Sequence, residues 1–276
     1  MNSKLRRPTL LGIPLDVNSS FLPGAALAPG KIREALRSAA SNEWTESGVD
    51  LGAPGAFADA GDLKLSNSRE KVEEDFAEIE RTVRGLIESG GNPVSLGGDH
   101  SITYPIVKAF AQRYSDLSIL HFDAHPDLYA EFEGSRVSHA CPFARILEDG
   151  LASRLVQVGI RTMNGHQRQQ AARFGVEVIE MKSLPGYERL KIHGPAYISF
   201  DMDVLDPAFA AGISHREPGG MSVREAIAHL HAISGMIVGA DVVEYNPGQD
   251  VSDLTATVAA KIVKEILGQM IAAGEE

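Results

Sequence analysis

Short apolar runs alternate along the chain with longer stretches in which apolar positions recur every three to four residues. The runs Leu10 to Leu15, Val94 to Leu96, Leu117 to Asp123, Leu155 to Ile160, Val176 to Met181, Ala196 to Asp201 and Ile237 to Val243 read as strands. Most lack a polar-apolar alternation, as expected for strands buried on both faces. Helical periodicity marks Lys31 to Ala39, Ser68 to Ser89, Ile102 to Tyr114, Pro142 to Glu148, Gln167 to Phe174, Val223 to Ile233 and Leu254 to Ala272. Strand and helix in turn predict an α/β fold: a mostly parallel central sheet with helices on both faces. The apolar positions Val258, Ile262, Val263, Ile266 and Leu267 of the last helix are expected to cover that sheet. The acid-rich run Glu70 to Glu80 reads as a solvated helix face. The Gly/Pro-rich stretches Gly48 to Gly61 and Pro207 to Gly220 read as loops, so residues 1–276 are taken as a single domain.

Chemistry collects where three of the apolar runs end. Gly97-Gly98-Asp99-His100-Ser101, Asp123-Ala124-His125-Pro126-Asp127 and Ser199-Phe200-Asp201-Met202-Asp203 each place carboxylates and imidazoles just past a strand. Residues i and i+2 of a strand point to the same side, so Asp123 with His125, and Asp201 with Asp203, each present two ligands in one direction. Strand carboxyl ends are where open α/β sheets bind ligands. Three such ends can bring six ligands to one spot. Oxygen and imidazole donors without thiolates suit hard or borderline divalent ions; Mn²⁺ fits, and zinc, cobalt and nickel also fit.

The chain has 276 residues, 43% of them apolar, one cysteine and a formal net charge of −11. The lone Cys141 excludes an intrachain disulfide. The acidic balance argues against a nucleic-acid partner, and no apolar stretch approaches the ~20 residues of a membrane span. Met1 to Arg7 lacks a secretory apolar core, so a soluble, cytoplasmic protein is expected.

The three clusters resemble the signature motifs of the ureohydrolase family, which comprises arginases, agmatinases and related guanidino hydrolases. The similarity runs from about Leu10 to Leu267. Ser138-His139-Ala140, Gly212-Ile213-Ser214-His215 and Glu217-Pro218-Gly219-Gly220 resemble the plant arginase branch. The resemblance implies an arginase-like three-layer α/β/α fold holding two Mn²⁺ per subunit, with Ni²⁺ or Co²⁺ as alternatives, in a homotrimer or homohexamer. One ion would take His100, Asp123, Asp127 and Asp201, and the other His125, Asp123, Asp201 and Asp203. A hydroxide between them would attack the guanidino carbon, oriented by Asp127. The resemblance also makes His139 the proton shuttle to the leaving amine, and Glu244 the carboxylate that binds the guanidinium fork.

Arginine hydrolysis to urea and ornithine is the reading favoured by this resemblance. Agmatine or 4-guanidinobutanoate is the alternative, since these differ from arginine only at the far end of the substrate. Ser135, Arg136 and Asn164 are the candidates for reading that end. A one-zinc amide hydrolase and a non-catalytic family member are the other classes weighed: the six-ligand set speaks against the first, and the retained ligands and Glu244 against the second. His121 reads as a satisfied core histidine, His215 has no assigned role, and Cys141 reads as a small apolar filler.

Overall fold

In the computed structural model, which describes residues 7–184 and 191–273, eight strands form one sheet in the order β2-β1-β3-β8-β7-β4-β5-β6. In chain order they are β1 (Arg7–Gly12), β2 (Ala58–Asp62), β3 (Gly91–Leu96), β4 (Ser118–Phe122), β5 (Arg154–Ile160), β6 (Glu177–Glu180), β7 (Lys191–Asp201) and β8 (Ser234–Val243). Every pairing between them is parallel. The helices are α1 (Ala28–Leu36), α2 (Val72–Glu88), α3 (Thr103–Ala111), α4 (Pro142–Glu148), α5 (Gly165–Phe174), α6 (Val223–His231) and α7 (Leu254–Ala272). The residues before Arg7, read as the amino-terminal segment without a secretory core, lie outside the described residues.

Two apolar clusters divide the sheet's faces and make the three layers. On one side Ile32 of α1, Ile227 and Leu230 of α6, and Ile262, Val263, Ile266 and Leu267 of α7 pack against Val94, Leu120, Ile198, Phe200 and Val242. On the other, Ile79 and Val83 of α2, Ile106 and Phe110 of α3, and Phe143 and Ile146 of α4 meet Ile119, Tyr197 and Val238. Burial on both sides explains why these strands are apolar runs rather than alternating ones.

Three details depart from the sequence expectation. β1 begins at Arg7 and ends at Gly12, so Ile13 to Leu15 lie beyond the sheet and lead into the site. β2 falls inside the stretch read as loop: Ala-Asp-Ala-Gly-Asp is almost wholly exposed and pairs only with β1, and a polar edge strand carries no burial signal to detect. In α2, Asp75 is buried instead of solvated; its carboxylate accepts the backbone N–H groups of Ser66 and Asn67 and the Ser66 hydroxyl.

The order of strands positions the chemistry. The chain passes from β3 to β4 across two places in the sheet that β8 and β7 fill later. The four adjacent carboxyl ends of β3, β8, β7 and β4 therefore surround one crevice at a reversal of winding, where α/β sheets bind ligands.

Candidate metal centre and cavity

His100 starts the turn after β3, and its tautomer can be deduced from its neighbours. Asp241, on β8, receives hydroxyl donors from Thr103 at 2.8 Å, Tyr197 at 2.7 Å and Ser199 at 2.7 Å. Ser199 thus spends its only proton on Asp241, and the 2.9 Å contact between Ser199 Oγ and His100 Nε2 must be donated by the imidazole. In the neutral imidazole the lone pair of Nδ1 then points the other way. There it faces Asp123 Oδ2, Asp127 Oδ2 and Asp201 Oδ2, each at 3.1 Å. Nδ1 is fully buried and makes no hydrogen bond.

Four acceptors turned toward one point are stable only around a cation. Adjacent donors around an ion with bonds of about 2.1 Å stand about 3 Å apart, which is the spacing seen here, so the residues fit a divalent ion. The second set is similar: His125 Nδ1 lies 2.8 Å from Asp203 Oδ2 and 3.4 Å from Asp123 Oδ1. Asp123, His125 and Asp203 form one group of potential ligands, and His100, Asp123 and His121 another.

The electrostatics show the same need for positive charge. Burial, with Asp203 and Asp123 nearby, pushes the Asp201 carboxyl well above its usual range, and burial with Asp123 takes Asp203 up to about 6. Asp123 is also desolvated, but the neighbouring imidazoles, His121 first, outweigh that and hold it well below the usual range. A cluster so divided is resolved by cations.

His121 does more than fill the core. Gln157 Nε2 donates to its Nδ1 at 3.0 Å, so its Nε2–H donates to Asp123 Oδ2 at 2.7 Å and aims that carboxylate. Asp99 sits behind the site. Its carboxylate accepts the backbone N–H of Ser101 at 3.0 Å and of Asn18 at 2.9 Å, and the Asn18 carbonyl accepts the backbone N–H of His139.

Glu244 follows β8. Its Oε1 accepts the backbone N–H of His100 at 2.8 Å and lies 3.2 Å from His139 Nδ1, while no donor among the described residues meets Oε2. Burial opposes the charge on His139, but the hydrogen bond and attraction of Glu244 prevail and raise it to about 9. Asp127 and Glu244 both have left-handed backbones, φ 48° and 62°. For residues with a Cβ this conformation is uncommon and strained, and it is tolerated where surrounding structure fixes it.

Gly98 shows how tightly the first motif is held. Its φ is +84°, its carbonyl accepts the Glu244 N–H, and a Cβ there would come within 2.7 Å of the Ile13 carbonyl oxygen and 2.8 Å of that of Leu15. Gly98→Ala is expected to cost about 2–5 kcal/mol, combining about 1–2 for the left-handed conformation with about 1–3 for the forced contacts. Thermal unfolding checks this; an unchanged melting temperature would contradict it.

A cavity of about 590 Å³, open to solvent, rises over the candidate ligands and is lined by Asp127, His125, Asp201, Asp203, His139 and Glu244. Of the three residues expected at its far end, none lines it. Asn164 caps α5 in a capping box with Gln167 and donates to the Tyr129 hydroxyl at 2.7 Å. Arg136 pairs with Glu148 at 2.8 Å. Ser135 lines a neighbouring pocket with Arg69. The cavity wall is made instead by Ser20, Tyr129, Phe132, Thr162, Gln167 and His215. Ser20 Oγ is 2.9 Å from His139 Nε2, and the His215 ring stacks on that of His139 with centroids 4.9 Å apart. Nothing in the local sequence around Ser20 signals this, because 119 positions separate it from His139. His215 stood in a quoted motif and only lacked a role. Cys141 is buried; burial, with Asp127 nearby, pushes its thiol up to about 12, in keeping with a filler.

Comparison with known proteins agrees with this geometry. The chain is 47% identical over 274 residues to arginase 2, chloroplastic/mitochondrial, of Arabidopsis thaliana, covering 95% of this chain and 80% of that protein. It is 34% identical over 268 residues to the agmatinase of Bacillus subtilis, covering 94% and 90%. The structure of arginase from Medicago truncatula superposes with a TM-score of 0.91 at 43% identity, over 96% of this chain and 88% of that one. One expectation is corrected: the similar plant arginases are named mitochondrial or chloroplastic/mitochondrial, so a cytoplasmic location is not supported. The expectation had rested on the amino-terminal residues and on missing spans, and although no helix among the described residues is long and apolar enough to cross a membrane, that is equally true in any aqueous compartment. The Arginase family model matches residues 6–268, nearly the whole chain, and the chain belongs to the arginase family of hydrolases acting on guanidino groups.

Proposed function

We propose that this protein, assembled as a homotrimer or homohexamer, hydrolyses L-arginine to urea and L-ornithine at a two-manganese centre. The observation that carries the reading is the buried lone pair of His100 Nδ1 facing three carboxylate oxygens at 3.1 Å each. His100, Asp123, Asp127 and Asp201 would hold one ion, and His125, Asp203, Asp123 and Asp201 the other. The ions, when bound, lower the pKa of water to about 7 in favourable sites and so supply a nucleophile at neutral pH.

The chain's own residues provide the rest. Glu244, which lines the cavity and whose Oε2 meets no donor among the described residues, accepts N–H bonds from the substrate guanidinium and neutralises its charge. Asp127 orients the attacking water. The water oxygen bonds to the guanidino carbon, the bond from that carbon to the side-chain nitrogen breaks, His139 gives its proton to the departing amine, and the two protons the water sheds restore His139 and charge the released amine. At neutral pH His139, raised to about 9, carries that proton. Ser20 Oγ and the Glu244 carboxylate hold its ring from both nitrogens.

A second reading is hydrolysis of agmatine or 4-guanidinobutanoate, and one observation favours agmatine within it. Among the described residues lining the cavity there is no lysine or arginine, so the carboxylate that arginine and 4-guanidinobutanoate carry, and agmatine lacks, has no such partner there. Urea release from L-arginine, agmatine and 4-guanidinobutanoate by the Mn²⁺-loaded protein decides. Arginine is expected to give the highest kcat/KM. Preference for agmatine or 4-guanidinobutanoate would move the protein to the second reading, and no urea from any of them would remove both.

A further inference from the structure

Arg161 lies just past β5, outside the signature motifs, yet it touches two of them. Its backbone N–H and that of Thr162 both donate to the Ala124 carbonyl, at 2.9 and 3.2 Å. Ala124 stands between Asp123 and His125, and its own N–H donates to Asp203 Oδ1 at 3.0 Å. The Arg161 guanidinium turns to the other motif. It donates to the backbone carbonyls of Asp203 at 2.6 Å, Val204 at 3.2 Å and Leu205 at 3.4 Å. Nε and Nη2 also hold the Glu217 carbonyl, at 2.9 and 2.6 Å.

Every hydrogen bond of this side chain among the described residues ends on a backbone carbonyl. A planar fork with five donors spans carbonyls in separate segments more widely than a compact ammonium with three. One residue thus ties the turn after β4, the turn after β7 and the loop through Glu217. The two residues that belong to only the second ion, His125 and Asp203, sit at the knot: one adjoins Ala124, the other offers its own carbonyl. Glu217 comes with the loop, and its carboxylate reaches within 3.9 Å of His125 Nε2, the ring nitrogen turned away from Asp203. The His100 imidazole has no such tie, since it is fixed from β7 and β8 through Ser199 and Asp241.

We propose that Arg161 is the positioning residue of the second metal position, setting the spacing of His125 and Asp203 so that this ion, and not the one at His100, depends on it. The inference rests on the two-ion reading of the site. Calorimetric titration of Mn²⁺ into the metal-free protein tests it, with electron paramagnetic resonance to distinguish a coupled pair from a single ion. Wild type is compared with Arg161→Lys and Arg161→Met.

Both variants are expected to bind one ion with wild-type affinity and the second about 10–100-fold more weakly, the range for losing a partner outside the ligand sphere. The coupled-pair signal should give way to that of a lone ion at intermediate Mn²⁺. Two unchanged affinities would overturn the role, as would equal weakening of both ions in a variant whose metal-free circular dichroism matches wild type. If Arg161→Met fails to fold, Arg161→Lys, which keeps the charge and the aliphatic stem, decides alone. A wild-type protein that binds only one ion would instead overturn the two-ion reading itself, and the role of Arg161 with it.

Discussion

His100→Ala is expected to lose tight binding of the first ion and nearly all activity together. The side chain supplies the one nitrogen at which three carboxylate oxygens converge. Removing it leaves those oxygens facing each other in a space that is wholly buried at His100 and Asp123. Repulsion there raises carboxylate pKa values, and protonated acids are poor ligands. A partner outside the ligand sphere typically contributes 10–100-fold in affinity, so a ligand should cost more, at least about 100-fold in affinity for the first ion. Metal content after gel filtration and urea release measure the two effects on one sample. Full activity with one ion bound would remove His100 from the reaction.

Glu244→Gln is expected to act differently: the ions stay while substrate binding fails. A hydrogen bond to a charged group contributes about 1.5–3 kcal/mol, and two such bonds to a buried guanidinium predict a KM or kcat/KM loss of at least about 100-fold. A second readout separates this role from mere scaffolding. Glu244 holds His139 at about 9 against the effect of burial. With the anion gone, burial acts with less opposition, and the His139 titration seen by nuclear magnetic resonance should move down toward or below the ordinary histidine value of about 6.5. The sign for stability follows. In wild type, this raised pKa contributes stability that is complete below about 6.5 and disappears as pH rises through about 9, so the variant should lose less stability over that interval. Unchanged KM and an unmoved His139 titration would exclude Glu244 from both roles.

Much of the fold was legible because burial leaves a periodic trace. α4 and α7 begin and end where their apolar periodicity does, with Pro142 at the start of α4. The strands were visible as apolar runs because helices cover both faces. β2 was not, since Asp59 and its neighbours at the sheet edge have no apolar face to repeat. Within the site, the ligand pairs were readable for a local reason: i and i+2 on a strand share a side whatever the rest of the chain does. The residues read for the far end of the cavity fall outside its lining for the opposite reason. Arg136 and Asn164 are near the motifs in sequence, but Glu148 and the α5 capping box claim their side chains.

By itself, then, the sequence determined the α/β class, the three clusters of candidate ligands at strand ends and the kinship with guanidino hydrolases. Each of these is written in short-range order, in runs and spacings of a few residues. Only the tertiary structure decided that Ser199 and Asp241 fix the tautomer of His100, that Ser20 and His215 enclose His139, and that Arg161 ties the second and third motifs together. These depend on the placing of β8 and β7 between β3 and β4, which brings together groups such as His100 and Ser199, 99 positions apart. Hydrogen-bond direction and the sharing of charge inside a buried site are properties of that juxtaposition, and no single segment contains them.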